Sequence, residues 1–281
     1  MTNKINFKQF LIADEDYVLY SIDLSQAENR IVAYIAPEIT MIDAFENGID
    51  VHKKTASLIY GVSIDSVTPF QRQFGKRANH GLNYGLGYRR FAFLYEISEN
   101  EAFEIVEAYH RAYPGVRQWH RAIEDKLRRD RTLTNCFGRN RLFKGPWGDD
   151  LLKEAYSFPA QSTTAECINK RGVLYLYYGE DFKHVVLLNQ VHDSIVFQIP
   201  LSIGWDYHWT VINAVKRNLE LSLSWQTREF CIPADVEMGL NLKDTISLVG
   251  KDHQWIHDKA EILNNAYWNL VDIRKPSDKT K

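Results

Sequence analysis

The 281-residue sequence predicts an α+β fold in which a long helical block interrupts a sheet. Residues 17–23 form an apolar segment typical of a buried strand that ends on an acid, and residues 26–36 carry apolar residues at helical spacing. The pattern from 40 to 178 is mostly helical, and apolar segments at 185–190 and 195–199 then predict two strands around a tight turn. Strands on both sides of a helical block indicate an α+β domain.

Turn-forming residues predict where the elements of the helical block end. Five sites punctuate it, namely Gly48, Gly61, Pro69, Pro114 with Gly115, and Pro159. A short hairpin is predicted around 132–143, a helix over 205–223, a strand over 232–238 and a final helix near 254–270. Residues 273–281 are predicted to form a disordered tail.

Composition predicts a folded, soluble protein of the cytoplasm. Hydrophobic residues make up 45% of the chain, no apolar stretch is long enough to cross a membrane, and the first ten residues lack the apolar core of a signal peptide. The formal net charge of −2 gives no overall attraction for nucleic acid. Residues 126–131 with Arg139, Arg141 and Lys144 form a basic run, and acids collect between 96 and 107. Such runs are usually solvated faces.

Two acids, Asp23 and Asp193, each follow an apolar strand and lie far apart in the sequence. If the two strands are neighbours in one sheet, both carboxylates lie at the same rim and form a site for divalent metal. Magnesium takes hard oxygen ligands and often only one or two carboxylates together with substrate phosphates, which suits this pair. The alternative is that each acid forms a turn or an N-cap, the usual role of an acid at a strand end.

Four residues of the segment 68–85 recur every fourth position, which predicts one face of a helix; they are Arg72, Lys76, His80 and Tyr84. Two cations, an imidazole and a phenol on one face suit a triphosphate at one end and a stacked base at the other. The alternative is a solvated helix face with a buried tyrosine, and spacing leaves both open. Gly75, Gly81 and Gly85 predict close approach by a ligand, or movement.

The sequence resembles the family A (DNA polymerase I type) DNA polymerases in several separate motifs. Residues 23–30 (DLSQAENR) resemble motif A of that family, residues 72–85 (RQFGKRANHGLNYG) resemble motif B, and residues 190–193 (QVHD) resemble motif C. Residues 50–52 (DVH) and 113–116 (YPGV) match two further segments. The motifs come in the family's order and together are far more specific than any one of them.

The resemblance implies the α+β fold of a right-hand polymerase, with a palm built on an antiparallel sheet and with helical fingers. It assigns residues 1–47 and 126–272 to the palm and residues 48–125 to the fingers, with the motif B helix at 68–85 and the tail at 273–281. A thumb and an exonuclease precede motif A in the family, and both are expected to be absent from this chain.

The resemblance also implies site residues. Asp23 and Asp193 would hold two magnesium ions and act in catalysis together with Lys76. The residues expected to bind the incoming deoxynucleoside triphosphate (dNTP) are Arg72, Lys76, His80, Tyr84, His52, Glu28 and Gln26, among which Glu28 takes the position of a steric gate against a ribose 2′-hydroxyl. The residues expected to contact DNA, largely without reading its sequence, are Arg30, Gln161, Gln190 and His192.

Four positions depart from the family pattern. His80 stands where Phe or Tyr is usual, and Ser194 replaces the glutamate that commonly follows the motif C aspartate. Lys153 and Ser157 stand where Arg and Asn are usual. The first departure bears on discrimination between nucleotide sugars, and the last two bear on contacts with the template.

The implied function is template-directed DNA synthesis in DNA replication, with primer-template DNA and dNTPs as partners. A separate chain, or a missing N-terminal part, is expected to supply the thumb and an exonuclease, and the compact spacing of the motifs suggests a bacteriophage source. One alternative is a non-catalytic or partner-dependent subunit of a split polymerase that binds primer-template. Another is a single-subunit RNA polymerase, against which Glu28 and the QVHD motif argue.

Overall fold

A computed structural model describes residues 6–248 and 259–274. The chain divides into two compact units. The sheet unit consists of the described residues of Met1–Ser25, Ala165–Ser222 and Cys231–Lys281, and the helical unit consists of Gln26–Thr164 and Leu223–Phe230. The boundaries predicted for palm and fingers fall at other positions and stay a prediction.

Nine strands and eleven α-helices are found in the described ranges. The strands are β1 (Tyr17–Leu24), β2 (Thr132–Thr134), β3 (Asn140–Leu142), β4 (Val186–Val191), β5 (Ser194–Pro200), β6 (Leu223–Trp225), β7 (Arg228–Phe230), β8 (Ala234–Gly239) and β9 (Thr245–Ser247). The helices are α1 (Ala27–Ile35), α2 (Ile39–Glu46), α3 (Val51–Tyr60), α4 (Pro69–Asn83), α5 (Tyr88–Tyr95), α6 (Glu99–Ala112), α7 (Pro114–Asp130), α8 (Asp149–Glu166), α9 (Leu174–Tyr178), α10 (Trp205–Leu219) and α11 (Lys259–Arg274).

The sheet unit is built on a five-stranded antiparallel sheet with the order β4-β5-β1-β8-β9. Strand β1 lies at its centre, and its side chains at Val18, Tyr20, Ile22 and Leu24 are fully buried. Helix α10 packs against β8 and α11. A π-helical segment, Cys167–Val173, contacts β5 and α10. The centre of the sheet is therefore packed on one side by these helical elements.

The helical unit contains α1 to α7, most of α8 and two short hairpins, β2-β3 and β6-β7. Its largest fully buried side chains include Leu82, Phe91, Tyr109 and Tyr113. Helix α4 packs along α3 and also contacts α1. One face of α4 therefore packs against the core of this unit.

The predicted α+β class is confirmed, and so are the strands at 17–23, 185–190 and 195–199 and the hairpin around 132–143. Pro159 was expected to end a helix, but it lies inside α8, where its neighbours Phe158 and Ala160 are buried. Packing of this apolar stretch outweighs the loss of one backbone hydrogen bond.

The C-terminal third differs from the prediction in its boundaries. Helix α10 ends at Leu219 rather than 223, because β6 begins at Leu223 and pairs with β7. The hairpin β6-β7 and strand β9 are too short to produce a clear alternating pattern. Residues 254–258 of the predicted last helix and 275–281 of the predicted tail lie outside the described residues, whereas residues 273 and 274 belong to α11.

None of the helices in the described ranges is both long enough and apolar enough to cross a membrane.

A buried histidine joins β1 to α10 in the sheet unit. His208 is fully buried, its Nδ1 lies 2.8 Å from the Tyr20 hydroxyl, and its Nε2 lies 3.1 Å from the Pro200 carbonyl oxygen. Because a carbonyl only accepts, Nε2 carries the proton and Nδ1 accepts from Tyr20. Burial lowers the pKa of His208 from 6.5 to about 4, so that the neutral ring is the folded form.

His208 should therefore make the protein acid-sensitive. The unfolded chain binds a proton at His208 below pH 6.5, whereas the folded chain does so only near pH 4. The contribution of neutral His208 to the free energy of unfolding is fully present above pH 6.5 and is lost as the pH falls to about 4. It amounts to at most about 3 kcal/mol. Denaturant unfolding of His208→Gln between these pH values should show a shallower pH dependence than the parent chain. His184→Gln is the matched control and should keep the parent slope; an unchanged slope in His208→Gln would contradict the prediction.

Candidate functional site

The sheet brings the two predicted metal ligands together. Asp23 is paired in register with Ser194 of β5 and with Asp235 of β8. Asp193 lies in the turn between β4 and β5, where its carbonyl oxygen accepts a hydrogen bond of 2.9 Å from the Leu24 amide. The sequence prediction that two strands present both acids at one rim is therefore realised in the sheet unit.

The two carboxylates repel one another in the absence of a cation. Burial and then the neighbouring Asp193, with smaller effects from Asp235 and Glu237, together raise the pKa of Asp23 to about 7. All donors here are carboxylate oxygens, the ligand type that magnesium prefers, and a divalent cation would relieve the repulsion. The donor set therefore fits a divalent metal.

Backbone strain marks the turn that carries Asp193. His192, directly before it, has a φ of 49°, in the left-handed region that residues other than glycine rarely adopt. Val191 and Ser194 are paired across the turn, and the Ser194 hydroxyl donates to the Val191 carbonyl oxygen at 3.0 Å. Such strain persists where the surrounding pairing enforces it, and here it fixes the direction of Asp193.

In the helical unit, α4 carries the predicted stripe. Thr68 caps the helix in a capping box with Gln71, and Pro69 occupies the first turn, which explains why the helix begins there. Arg72, Lys76 and His80 lie on the helix, and Tyr84 is its C-cap residue. The buried face of α4 consists of Gly75, Ala78, Asn79, Leu82 and Asn83. Of the stripe, Lys76 and His80 are exposed, whereas Arg72 and Tyr84 are half-buried.

The first cation of the stripe is paired. The Nε of Arg72 donates to Asp50 Oδ2 at 2.6 Å. The other oxygen of Asp50 caps α3 by accepting from the amides of His52 and Lys53 at 2.9 and 3.1 Å. These hydrogen bonds lower the pKa of Asp50 despite its partial burial. Arg72 is thus held in place at the start of α3 before any ligand arrives.

His52 is less accessible than the resemblance implies. Its side chain is buried, with Nδ1 at 3.1 Å from the side-chain amide of Asn79. Burial, together with the charges of Arg72 and Lys76, lowers its pKa to about 4, and Asp50 offsets only part of that effect. The imidazole is neutral at neutral pH and connects α3 to α4.

Tyr84 and His80 both approach Glu28, the predicted steric gate. The Tyr84 hydroxyl donates to Glu28 Oε2, and His80 Nδ1 lies 3.7 Å from the same oxygen. The His80 ring also meets the Tyr84 ring edge-on, with centroids 5.3 Å apart. Burial and the neighbouring Glu28 raise the pKa of Tyr84 well above its ordinary value. The carboxylate of Glu28 is therefore held by α4.

An open cleft of about 720 Å³ lies along the stripe. Lys76, His80 and Tyr84 line one side, and Lys153, Glu154 and Ser157 of α8 line another. Three of the four departures from the family pattern, namely His80, Lys153 and Ser157, thus line the same cleft. The cleft is large enough for a nucleotide.

Two buried asparagines fix α4 in position. Asn79 accepts from the Thr55 hydroxyl at 2.9 Å. Asn83 donates to Asn29 and accepts from the Tyr109 hydroxyl, both at 2.7 Å. Neither asparagine is identified by the sequence pattern, because a polar residue on a helix gives no signal of burial in a hydrogen-bond network.

Glycine on α4 serves helix packing. A Cβ on Gly75 would clash with the His52 carbonyl oxygen and lie 3.0 Å from the Ala56 amide nitrogen, so the close approach is made by α3. Gly85 has a φ of +74° and ends the helix against the Tyr156 ring. Packing and backbone conformation therefore explain Gly75 and Gly85, whereas the sequence had predicted close approach by a ligand, or movement.

The remaining predicted site residues differ in their exposure and contacts. Gln161 on α8 is exposed, as are Gln190 and His192 at the end of β4. The Arg30 guanidinium lies over the Phe45 ring at 4.3 Å. Gln26 is the left-handed N-cap of α1, and its Oε1 atom is buried without a hydrogen-bond partner among the described residues. An orphaned acceptor of this kind points to a ligand or a water.

Two further acids belong to the acidic cluster and were missed. Asp235 and Glu237 lie on β8 and act on Asp23. Their spacing by two in the predicted strand 232–238 puts them on one face, which is the signal that could have identified them.

Gly75→Ala should destabilise the protein, because the added methyl group would force α3 and α4 apart. We expect a loss of about 1–3 kcal/mol in the free energy of unfolding, although alanine favours helix over glycine. Gly145→Ala is the matched control, since a Cβ there meets only a Leu151 methyl at 3.5 Å. Denaturant unfolding of both variants tests this. Equal stability of the two would show that the contact between the helices is unimportant.

Comparison with known proteins identifies the family. The model of "DNA polymerase family A" matches residues 1–243. The thermostable DNA polymerase I of Thermus thermophilus is 30% identical over 199 residues, which is 69% of this chain and 24% of the relative. DNA polymerase I of Synechocystis sp. is 29% identical over 240 residues, 77% of this chain and 24% of the relative.

A solved structure agrees with these relatives. It is described as the POL domain of Pol1 from M. smegmatis in complex with DNA primer-template and dNTP, with a TM-score of 0.73, 26% identity, and coverage of 84% of this chain and 42% of that one. The chain thus spans about a quarter of the length of the curated relatives described above. Because the family model covers most of the sequence, the chain belongs to DNA polymerase family A.

Proposed function

We propose that this chain catalyses template-directed DNA synthesis in DNA replication, by transferring a nucleotidyl group from a dNTP to a primer 3′-hydroxyl. The observation that carries the proposal is the meeting of Asp23 and Asp193 at one rim of the sheet, with the pKa of Asp23 raised to about 7. Family membership and the structural neighbour with primer-template and dNTP support the substrates.

Asp23 and Asp193 are the residues that would hold two magnesium ions. When bound, such ions neutralise phosphate charge, favour the deprotonated 3′-hydroxyl and stabilise the leaving oxygen. The primer 3′-oxygen forms a bond to the α-phosphorus, the bond from that phosphorus to the bridging oxygen breaks, and pyrophosphate leaves.

The stripe on α4 would bind the triphosphate. Arg72 and Lys76 supply positive charge, and Lys76 is our candidate for the acid that protonates the departing pyrophosphate. His52 is buried and neutral, so its contribution would be to orient α3 and Arg72 unless the site rearranges. His80 offers an exposed imidazole, and Gln26 offers a buried acceptor without a partner among the described residues.

Glu28 would exclude ribonucleotides. Its carboxylate is held by Tyr84 and approached by His80, so a ribose 2′-hydroxyl would meet a fixed group rather than a mobile side chain. Arg30, Gln161, Gln190 and His192 are our candidates for contacts with primer and template.

Primer extension tests the assignment of the acids. With magnesium, low salt and all four dNTPs, Asp23→Asn and Asp193→Asn should each lower the rate by roughly a thousandfold, because each removes charge from the metal site. Asp206→Asn, an exposed acid in the same unit, should leave the rate unchanged. Full activity in Asp193→Asn would refute the proposal.

The same assay separates the alternatives. If the parent chain does not extend a primer but binds labelled primer-template in fluorescence anisotropy, it is a partner-dependent subunit. If it prefers ribonucleotides, it is an RNA polymerase.

Sugar selection tests Glu28. Glu28→Ala should raise the incorporation of ribonucleotides relative to deoxynucleotides by about tenfold or more, because the 2′-hydroxyl then enters free space. Tyr84→Phe keeps the ring but removes the hydroxyl that holds Glu28, so it should shift the ratio in the same direction by less. Single-turnover incorporation of one nucleotide measures the ratio. An unchanged ratio in Glu28→Ala would contradict the gate.

A further inference from the structure

A second cleft in the helical unit has a volume of about 590 Å³. It is built by the end of α3, the first turns of α4, the end of α5 and the start of α6. Its residues include none of those assigned above to metal, dNTP or primer-template. We call it the aromatic cleft; its apolar residues are Ile59, Tyr60, Phe70, Phe74, Leu94, Tyr95, Ile97 and Ile105.

The floor of the aromatic cleft is a fixed cluster of rings. The Phe74 ring lies 5.8 Å from Tyr60 and 5.4 Å from Tyr95, centroid to centroid. It also meets the fully buried Phe91 at 5.8 Å, which anchors the cluster in the core. The floor is therefore a packed aromatic surface.

Apolar side chains around this floor are exposed to a degree that needs an explanation. Phe70 is 78% exposed, Leu94 48% and Tyr60 39%. Contiguous apolar surface with a polar rim is typical of an interaction site, whereas isolated exposed apolar residues are ordinary.

Carboxylates form the rim. The acidic run between 96 and 107 has two paired members, because Glu99 lies 3.7 Å from Arg89 and Glu107 lies 2.6 Å from Arg117. The other three, Glu96, Glu101 and Glu104, line the aromatic cleft, and no ion pair is found for them within the described ranges. Burial and then the charge of the nearby Glu101 raise the pKa of Tyr60.

The excess negative charge of the aromatic cleft indicates which kind of partner it would bind. Arg77 also lines the cleft, so three carboxylates face one guanidinium. A cleft with excess negative charge repels DNA phosphates and attracts Lys or Arg side chains, whose ammonium or guanidinium groups also bind favourably over aromatic rings. An apolar side chain beside such a cation would fill the floor.

We propose that the aromatic cleft is a docking site for a basic amphipathic segment of another protein. Its apolar residues would insert against Phe70, Phe74 and Tyr95, and its Lys or Arg residues would pair with Glu101 and Glu104. The proposal goes beyond DNA synthesis and does not depend on it.

The test uses a labelled peptide of about four helical turns, with leucine on one face and lysine on the other, in fluorescence anisotropy with the full chain. The lysine peptide should bind, and its affinity should fall as salt is added. A peptide with glutamate in place of lysine should bind at least about tenfold more weakly, since like charges repel.

Variants locate the binding. Glu101→Gln with Glu104→Gln should weaken binding of the lysine peptide by about three- to tenfold, the range expected for two exposed ion pairs. Glu15→Gln with Glu180→Gln removes the same charge from exposed positions of the sheet unit and should change nothing. Phe70→Ser, at an exposed position, should weaken binding without loss of helical circular dichroism.

Three outcomes would overturn the proposal. They are absence of binding by the lysine peptide, equal binding by the glutamate peptide, and an equal loss in the two double variants. Because dNTPs and DNA are absent from the assay, failure of the docking proposal and failure of the polymerase proposal are distinguishable.

Discussion

The arrangement of the helical unit depends on the hydrogen bonds of two buried amides, Asn79 and Asn83. Both side chains have hydrogen-bond partners on other helices, at distances of 2.7 to 3.1 Å. A buried amide that loses its partners costs more than the hydrogen bond was worth, so α4 has one favourable rotation about its axis. That rotation turns Arg72, Lys76 and His80 away from the core. The same side of the unit therefore carries all the cations that we propose to bind triphosphate.

In the sheet unit the dominant constraint is burial of the central strand. Register in an antiparallel sheet is fixed by the buried face, since a slip by one residue would expose Tyr20 and Ile22. The same register sets Asp23 beside Asp235 and Ser194. Folding thus places Asp23 among like charges, and burial and then the neighbouring carboxylates raise its pKa to about 7.

Prediction from sequence succeeded where the pattern is strong and local. The alternation and length of apolar residues located β1, β4 and β5, and the motifs located both acids and the α4 stripe. It failed at Pro159, where tertiary packing overrides a local preference, and at the hairpin β6-β7, which is too short for a periodic signal. Burial of His52 was also missed, because the sequence reports residue type and order but not depth.

The sequence by itself determined the family, the α+β class and the identity of the acids and cations, since these depend on residue type and spacing along the chain. Tertiary structure decided which groups meet. Only the fold brings Asp235 beside Asp23, holds Glu28 with Tyr84, and pairs Arg72 with Asp50. It also gathers acids of α6 around rings of α3 and α4. Contacts between residues distant in sequence depend on register and helix packing, and those are set by burial of the whole core rather than by any local pattern.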